Sequence, residues 1–385
     1  MFGSVNLDLI TGHPLILLFW LVTLLLIVQE SVLAGAFIRA KRSRPRTGSR
    51  AAQPASVVIA ARNELENLKQ LLPMLYAQQH PAFEILVADD RSQDGTAEWL
   101  QKEMAKCPHL RTVRITEVPP SFNSKKLALT RAIEAARYDI ILLTDADCRP
   151  YSDTWLAILS GSFQNGTSIV LGYSPYRKEH GLLNGFIRYE TLLTAFQYLG
   201  FAILGRPYMG VGRNLAYRRD LFIDNGGFGE VKHVTGGDDD LLINRLATAG
   251  NTEVVTDRSS QMWSVPENSL RGFFRQKTRH LSAGKHYRLA DKLFTGVFPF
   301  SIIVWWVLLP ILFISSLGQE NELTHVATGF LLRTIIHTLA MSVTFRALGD
   351  SFRWWLLPLY DLIFALYYAV TGVTALLTKR IRWRI

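Results

Sequence analysis

Segment 139–147 reads Asp-Ile-Ile-Leu-Leu-Thr-Asp-Ala-Asp, an apolar run that ends in two aspartates with one residue between them. Similar short runs of aliphatic and β-branched residues occur at 56–61, 84–89 and 168–172. Segments with helical periodicity separate these runs, for example the one with Leu65, Leu68, Leu72 and Leu75 on a single face. This alternation predicts an α/β domain with a Rossmann-like, mostly parallel sheet and right-handed crossovers.

The predicted strands end in polar residues, many of them acidic. Ligands bind at the carboxyl ends of the strands in such sheets, where like charges repel unless a cation or hydrogen-bond donors lie between them. Two carboxylates spaced Asp-x-Asp suit Mg²⁺ or Mn²⁺, which would bridge the phosphates of a nucleoside diphosphate. A helix N-cap is the competing interpretation of each turn taken alone. The candidate residues are Ala61, Asn63, Glu64, Asp90, Asp145, Ala146 and Asp147.

Three further segments carry candidate site residues. Lys125 and Lys126 open a predicted helix, whose N-terminal N–H groups also favour phosphate, although a solvated lysine pair is the alternative. The turn 238–240 consists of Asp238, Asp239 and Asp240, which is more carboxylate than a helix cap needs, and we favour a general base for an acceptor hydroxyl. Gly210 and Gly212 are a weak indication of a phosphate cradle, and we place them on the acceptor side of the site.

Several classes of function are disfavoured. No Gly-x-Gly-x-x-Gly follows the first strand and no P-loop pattern is present, which argues against a dinucleotide-binding fold and a P-loop ATPase. The net charge is +10, but much of it flanks apolar segments and no nucleic-acid-binding signature occurs, so we expect no nucleic-acid partner. The two cysteines are too few for a disulfide framework.

The apolar residues indicate membrane segments at both ends of the chain. Hydrophobic residues make up 49% of the sequence and charged residues 19%. We expect a short extracytoplasmic N-terminus (1–13), a retained transmembrane anchor (14–38), a basic linker (39–54), a catalytic domain (55–291) and a C-terminal membrane region (292–385). In that last region 294–317 and 354–377 are good spans, whereas 327–347 carries Arg333, His337 and Arg346 and is weaker, which leaves two or three spans. The protein is thus expected in the bacterial inner membrane, with its catalytic domain in the cytoplasm.

Two more helices are predicted inside the catalytic domain. Segment 269–284 is basic and amphipathic, which is typical of a helix at a membrane interface. Segment 182–204 is apolar but is interrupted by Arg188, Glu190 and Gln197. It could line a path for a lipid chain or lie in the core.

These motifs, in this order, resemble the inverting family 2 glycosyltransferases with the GT-A fold. The closest resemblance is to the membrane-integrated branch that includes ceramide-glucosyl, cellulose and hyaluronan synthases, and it covers about 55–285. It implies a GT-A catalytic domain flanked by transmembrane helices and a nucleotide-sugar donor, with uracil as the base. By this resemblance Glu64 and Asp90 contact the base, Lys126 or Lys125 the phosphates, Asp145 the ribose or sugar, and Asp147 a Mg²⁺ or Mn²⁺ ion.

The resemblance also implies the acceptor side of the site. The family's Glu-Asp motif falls on Asp238-Asp239, which makes Asp239 the catalytic base, although the three consecutive aspartates leave the register open. Gln276 and Arg279 match the family's Gln-x-x-Arg-Trp motif, whose arginine approaches the pyrophosphate. His280 replaces the tryptophan, so the acceptor geometry differs from the family pattern.

We therefore expect a metal-assisted direct displacement that inverts the anomeric carbon and transfers a sugar to a lipid or lipid-linked acceptor. The lipid is favoured because the domain is tethered to the bilayer at both ends. A processive polysaccharide synthase is one alternative, although three or four spans are few for a channel. A non-catalytic membrane scaffold with a decayed transferase domain is another, although its expected metal and base carboxylates are all present.

Overall fold

A computed structural model describes residues 13–43, 50–164 and 166–377. The strands are β1 (Ala55–Ala61), β2 (Phe83–Asp90), β3 (Leu110–Ile115), β4 (Ile140–Leu143), β5 (Cys148–Pro150), β6 (Ile169–Gly172), β7 (Leu215–Arg218), β8 (Thr252–Val255) and β9 (Met262–Ser264). The helices of the central part are α2 (Leu65–Tyr76), α3 (Thr96–Met104), α4 (Ser124–Ala135), α5 (Trp155–Gly161), α6 (Leu182–Ile203), α7 (Arg219–Asp224), α8 (Asp240–Leu246) and α9 (Leu270–Ala283). The terminal helices are α1 (Pro14–Ser43), α10 (Leu289–Ser315), α11 (Glu320–Leu348) and α12 (Leu357–Leu377).

The main sheet has the order β3-β2-β1-β4-β7-β6-β8. Its neighbouring strands are parallel except β7, which is antiparallel to both β4 and β6. The prediction of an α/β domain with a mostly parallel sheet is confirmed. Because β2, β1 and β4 are adjacent and parallel, their carboxyl ends lie side by side at one edge.

The two faces of the sheet pack against different partners. In β1 the side chains of Val57 and Ile59 belong to a core that contains α2, α3 and α5. Val58, between them, belongs to a second core, as the two-residue period of a strand requires. That second core continues without interruption from α4 and α6 into α1, α10, α11 and α12. The sheet and the terminal helices therefore share one apolar interior.

Four helices in the described parts of the chain are long and apolar enough to cross a membrane: Pro14–Arg42, Leu289–Ser315, Glu320–Leu348 and Trp354–Thr374. They correspond to the anchor and to all three candidate C-terminal segments. The segment predicted as weak, 327–347, is part of one continuous helix, α11. Two of its ionisable side chains, Arg333 and His337, are paired inside the protein, whereas Arg346 is exposed. Outside the described residues lie 1–12 of the predicted extracytoplasmic start (1–13), 44–49 of the linker and 378–385 of the C-terminal membrane region.

Arg333 and His337 of α11 lie in a buried cluster of ionisable side chains between the terminal helices. Arg333 donates to Glu30 of α1 at 3.2 Å and pairs with Asp361 of α12 at 2.8 Å. His337 Nδ1 lies 2.8 Å from Glu30, and its Nε2 lies 3.0 Å from the hydroxyl of Tyr189 in α6. All of these side chains are at most 2% exposed. Buried charges persist only when paired, so the cluster fixes which helices are neighbours.

We predict that Arg333→Met destabilises the protein by about 3 to 5 kcal/mol, because two carboxylates lose their shared cation. The thermal midpoint of the detergent-solubilised protein measures the effect. Arg346→Met, at an exposed position of the same helix, is the matched control and should leave the midpoint unchanged. Equal midpoints for the two variants would contradict a stabilising role of the cluster.

Candidate functional site

The loops that follow β1 and β2 are tied to each other at the sheet edge. The backbone N–H of Asn63 donates to Ser92 Oγ at 2.9 Å, and Asn63 Oδ1 accepts from the N–H of Gln93 at 2.8 Å. Asn63 has φ = 56°, a left-handed conformation that asparagine tolerates better than most residues. The next residue, Glu64, accepts from Asn67 at 2.6 Å and faces a large cavity at this edge of the sheet.

Lys125 joins two acidic segments that are far apart in the sequence. Its ammonium lies 3.0 Å from Asp145, after β4, and 2.9 Å from Asp238, before α8. Burial lowers the pKa of Lys125, but the charges of Asp145 and Asp238 outweigh it and raise the pKa above the ordinary value. Lys125 is thus a fixed cation between the two acidic segments.

Lys126 points the other way. It is 0% exposed, donates to the carbonyl of Val231 at 2.7 Å and lies over the ring of Phe228. Burial lowers its pKa to about 8. Of the two lysines that the sequence offers for phosphate, only Lys125 faces the cavity, because consecutive residues of α4 project about 100° apart.

The Asp-x-Asp turn presents two carboxylates to the cavity. Asp147 accepts from Ser264 Oγ at 3.1 Å, and the guanidinium of Arg213 lies near enough to influence its charge. Burial and the charge of Asp145 raise the pKa of Asp147, and Arg213 opposes this shift. A cation between the two carboxylates would remove the repulsion.

The donor set of this turn fits a magnesium or manganese ion. No group of three or more His, Cys, Asp or Glu side chains converges on one point within the described residues. The protein would therefore supply Asp147, with Asp145 beside it, and leave the remaining positions to phosphate oxygens and water. Mg²⁺ is usually bound in this way, through one or two carboxylates plus substrate phosphates.

The three aspartates before α8 have three different environments. Asp238 is paired with Lys125. Asp239 accepts from the backbone N–H groups of Gly212 at 2.6 Å and of Asp240 at 2.8 Å. Asp240 accepts from the hydroxyl of Tyr287 at 2.9 Å and from the N–H of Leu241 at 2.7 Å.

These environments separate the acidities of the three carboxyls. Burial raises the pKa of Asp238, but the charge and hydrogen bond of Lys125 outweigh it, and the pKa lies below the ordinary value. Burial and the charge of Asp238 raise the pKa of Asp239. Burial and the charge of Asp239 raise the pKa of Asp240 to about 8, so Asp240 carries a proton at pH 7. Asp239 has no ion-pair partner among the described residues, and two backbone N–H groups hold its carboxylate in place.

Helix α9 closes the cavity opposite the sheet edge. It begins after Ser269, whose side chain caps the N–H of Gly272 at 3.1 Å. Gln276, Arg279 and His280 all line the cavity. Burial, together with the charges of Arg279 and Lys277, holds the pKa of the His280 imidazole well below its ordinary value, so the ring is neutral at pH 7.

The cavity has a volume of about 1290 Å³ and extends from the sheet edge to the terminal helices. Its far end is lined by Thr191 and Thr194 of α6, by α10 and by α12. The residues from α10 and α12 are neutral apart from one lysine: Lys292, Thr295, Gly296, Pro299, Phe364, Tyr367, Tyr368 and Gly372. Gly296 and Gly372 open into the cavity, since a Cβ on either would meet no described atom within 4 Å.

The structure brings most of the sequence-predicted residues into this one cavity. Those that line it are Asn63, Glu64, Lys125, Asp145, Asp147, Gly210, Asp238, Asp239, Asp240, Gln276, Arg279 and His280. Ala61, Asp90, Lys126, Ala146 and Gly212 are outside the lining, and Gly212 reaches it only through its hydrogen bond to Asp239. Asp90 is 1% exposed beneath Arg62 and Arg91, so a contact with a base requires one of these arginines to move.

Sequence reasoning missed several lining residues. Arg213 has its guanidinium over the ring of Tyr176 at 4.3 Å and donates to the carbonyl of Ser174 at 3.1 Å. The glycine-rich segment around it was the available signal. Tyr287 and Ser264 had none, because only the fold places them beside Asp240 and Asp147.

Comparisons with known proteins show that the chain is similar to glycosyltransferases. The chain is 22% identical to the uncharacterized glycosyltransferase YibD of Escherichia coli K12 over 255 residues, which are 62% of this chain and 70% of YibD. It is 27% identical to the glycosyltransferase AglE of Haloferax volcanii over 201 residues, 51% of this chain and 62% of AglE. A similar fold, with a TM-score of 0.56 at 18% identity, occurs in the mannosyltransferase PcManGT of Pyrobaculum calidifontis, solved with GDP-Man and Mn²⁺; the likeness covers 94% of this chain and 100% of that one.

The profile of Glycosyl transferase family 21 matches residues 20–385, which include the sheet, the cavity and the C-terminal helices. The expected GT-A type of fold and the expected enzyme class are both confirmed. This chain is a glycosyltransferase of family 21.

Proposed function

We propose that the chain transfers a sugar from a UDP-sugar to a hydroxyl group of a membrane lipid, with inversion at the anomeric carbon. One observation carries the proposal. A single cavity joins the acidic sheet edge, which suits a nucleoside diphosphate sugar, to α10 and α12, which are long and apolar enough to lie in a bilayer.

The donor would occupy the end of the cavity at the sheet edge. Lys125, Arg213 and Arg279 are the cations available to its two phosphates, and Glu64 is available to its base or ribose. The resemblance to other family members supports Gln276 and Arg279 as diphosphate contacts. The Pyrobaculum structure, with GDP-Man and Mn²⁺, supports a nucleoside diphosphate sugar and a divalent ion as a pair.

Asp147, beside Asp145, would hold the divalent ion. When bound, Mg²⁺ or Mn²⁺ stabilises negative charge on the departing diphosphate. Lys125 and Arg279 act on the same charge as fixed donors.

Asp239 would act as the base of a direct displacement. Its carboxylate takes the proton of the acceptor hydroxyl while that oxygen attacks the anomeric carbon, and the bond to the diphosphate breaks. The N–H groups of Gly212 and Asp240 orient the carboxylate. Asp240 is a poorer base at pH 7, because its own carboxyl is protonated.

A neutral acceptor group suits the cavity better than an anionic one. An acceptor oxygen must approach the carboxylate of Asp239, which lines the cavity. A phosphate head group would meet this carboxylate as a like charge, whereas a hydroxyl would not. Threonine and tyrosine hydroxyls at the membrane end of the cavity can bind a polar head group.

The proposal is tested by incubating the purified chain with Mn²⁺, a panel of radiolabelled UDP- and GDP-sugars, and diacylglycerol, ceramide or polyprenyl phosphate in nanodiscs. One labelled sugar on a hydroxyl lipid supports it. A long polymer would favour a processive synthase, and no binding of any nucleotide sugar would favour a scaffold.

We predict that Asp147→Ala abolishes Mn²⁺-dependent transfer, because the ion loses its main protein ligand. Transfer and the Mn²⁺ dependence of UDP binding are the measurements. Asp224→Ala, at an exposed helix end outside the cavity, is the control and should behave as wild type. Full activity of Asp147→Ala with metal present would refute the metal assignment.

We predict that Asp239→Asn lowers kcat by about 10² to 10⁴ while UDP binding is kept, because only the proton acceptor is removed. The base works deprotonated, so the wild-type rate should fall as the pH decreases through the pKa of Asp239. That pKa lies above the value of an ordinary aspartate, which is about 3.9. Asp240→Asn is the matched control and should retain most activity. A greater loss in Asp240→Asn would move the base to that residue.

We predict that Gly296→Leu and Gly372→Leu lower transfer to lipid about tenfold or more by filling the membrane end of the cavity, with UDP binding unchanged. Gly35→Leu is the control, since Gly35 lies on the exposed side of α1 and also has open space around it. Unchanged transfer in both cavity variants would place the acceptor elsewhere.

A further inference from the structure

Helices α6 and α9 touch at two successive levels. At the first, the ring of Phe186 in α6 lies 5.9 Å from that of Phe273 in α9, edge to face. At the second, one helical turn further along both helices, Glu190 of α6 accepts from Lys277 of α9. Each pair is four residues from the other on its own helix, so the two contacts fix both the separation and the rotation of α9.

The second contact lies inside the segment that faces the donor end. Lys277 follows Gln276 directly and precedes Arg279 by two residues. Glu190 and Lys277 are 6% and 9% exposed, and both line the cavity. At 100° per residue, Lys277 can point at α6 while Gln276 and His280 point into the cavity. A small rotation of α9 would move Gln276, Lys277 and His280 together.

The α6 side of this contact is itself held by the membrane part of the protein. Arg188 pairs with Asp350 in the connection between α11 and α12 and stacks on Phe352 at 4.8 Å. Tyr189 lies 3.0 Å from His337 and donates to Asp361 at 3.2 Å. Three consecutive residues, 188–190, thus join α6 to the C-terminal helices on one side and to α9 on the other.

We infer that the Glu190–Lys277 ion pair is a positioning contact for the reaction, which aims Gln276 and Arg279 at the donor diphosphate. This inference rests on the proposed function, because it needs Arg279 to face a nucleotide. The Lys277 ammonium donates to Glu190, so the pair acts on the donor through the orientation of α9. Family motifs leave position 277 unspecified, so the contact belongs to this chain's own packing.

The test measures binding of UDP with Mn²⁺, and transfer, for the full chain in nanodiscs. Lys277→Met and Glu190→Gln should each weaken UDP binding about tenfold or more and lower kcat/KM about a hundredfold, because a displacement near 1 Å is enough. The acceptor KM should not change. Arg111→Met on β3, which breaks a partly buried pair with Glu84 of β2 outside the cavity, is the control and should bind UDP normally.

Two double variants distinguish positioning from direct binding of the diphosphate and from a purely structural role. The charge swap Lys277→Glu with Glu190→Lys should restore UDP binding; failure to restore it would mean that Lys277 contacts the diphosphate directly and would overturn the inference. The apolar pair Lys277→Met with Glu190→Met should recover thermal stability but not UDP binding. Recovery of both would reduce the pair to a structural role and would also overturn the inference.

Arg279→Ala distinguishes a failure of this inference from a failure of the proposed function. If neither Arg279→Ala nor Asp147→Ala weakens UDP binding in the presence of Mn²⁺, the donor site is elsewhere and both fail together. If Arg279→Ala weakens UDP binding while Lys277→Met does not, only the positioning role is lost.

Discussion

The cavity depends on the placement of one lysine between two groups of carboxylates. Lys125 contacts Asp145 on one wall and Asp238 on the other, within 3.0 Å of each. Without it, the strand edge and the acidic turn before α8 would repel each other across a partly buried space. The same contact gives the three neighbouring aspartates different charge environments. Lys125 neutralises Asp238, no described residue forms an ion pair with Asp239, and the carboxyl of Asp240 is protonated.

The domain that carries the site shares one apolar interior with the terminal helices. The face of the sheet that carries α4 and α6 continues into the C-terminal helices, so the cavity can extend from the sheet edge to α10 and α12. A glycosyltransferase with a separate anchor would have to lift a lipid out of the bilayer. Here the polar head of a lipid could reach the acidic turn while its chains remain beside the terminal helices. Under the proposed function, this arrangement lets one site serve a water-soluble donor and a lipid acceptor.

Local patterns were enough to predict four of the seven strands of the main sheet and one side of the site. Strand periodicity located β1, β2, β4 and β6 within about a residue, and parallel order then forced Asn63, Glu64 and Asp147 to one edge. Pattern alone could not choose between Lys125 and Lys126, because both open the same helix and only packing decides which is buried. Tyr287 and Ser264 could not be predicted for the same reason. The segment around Arg333 looked weak as a span because its partners, Glu30 and Asp361, lie far away in the sequence.

That distance has a consequence for biosynthesis. Glu30 and Arg333 are separated by 303 residues, so the acid of the first helix is made long before its cation. At typical rates of translation the interval is roughly 15 to 60 s. During that time Glu30 of the first helix lacks its partner Arg333, and the first helix cannot reach its final packing. A truncated chain never completes the pairing.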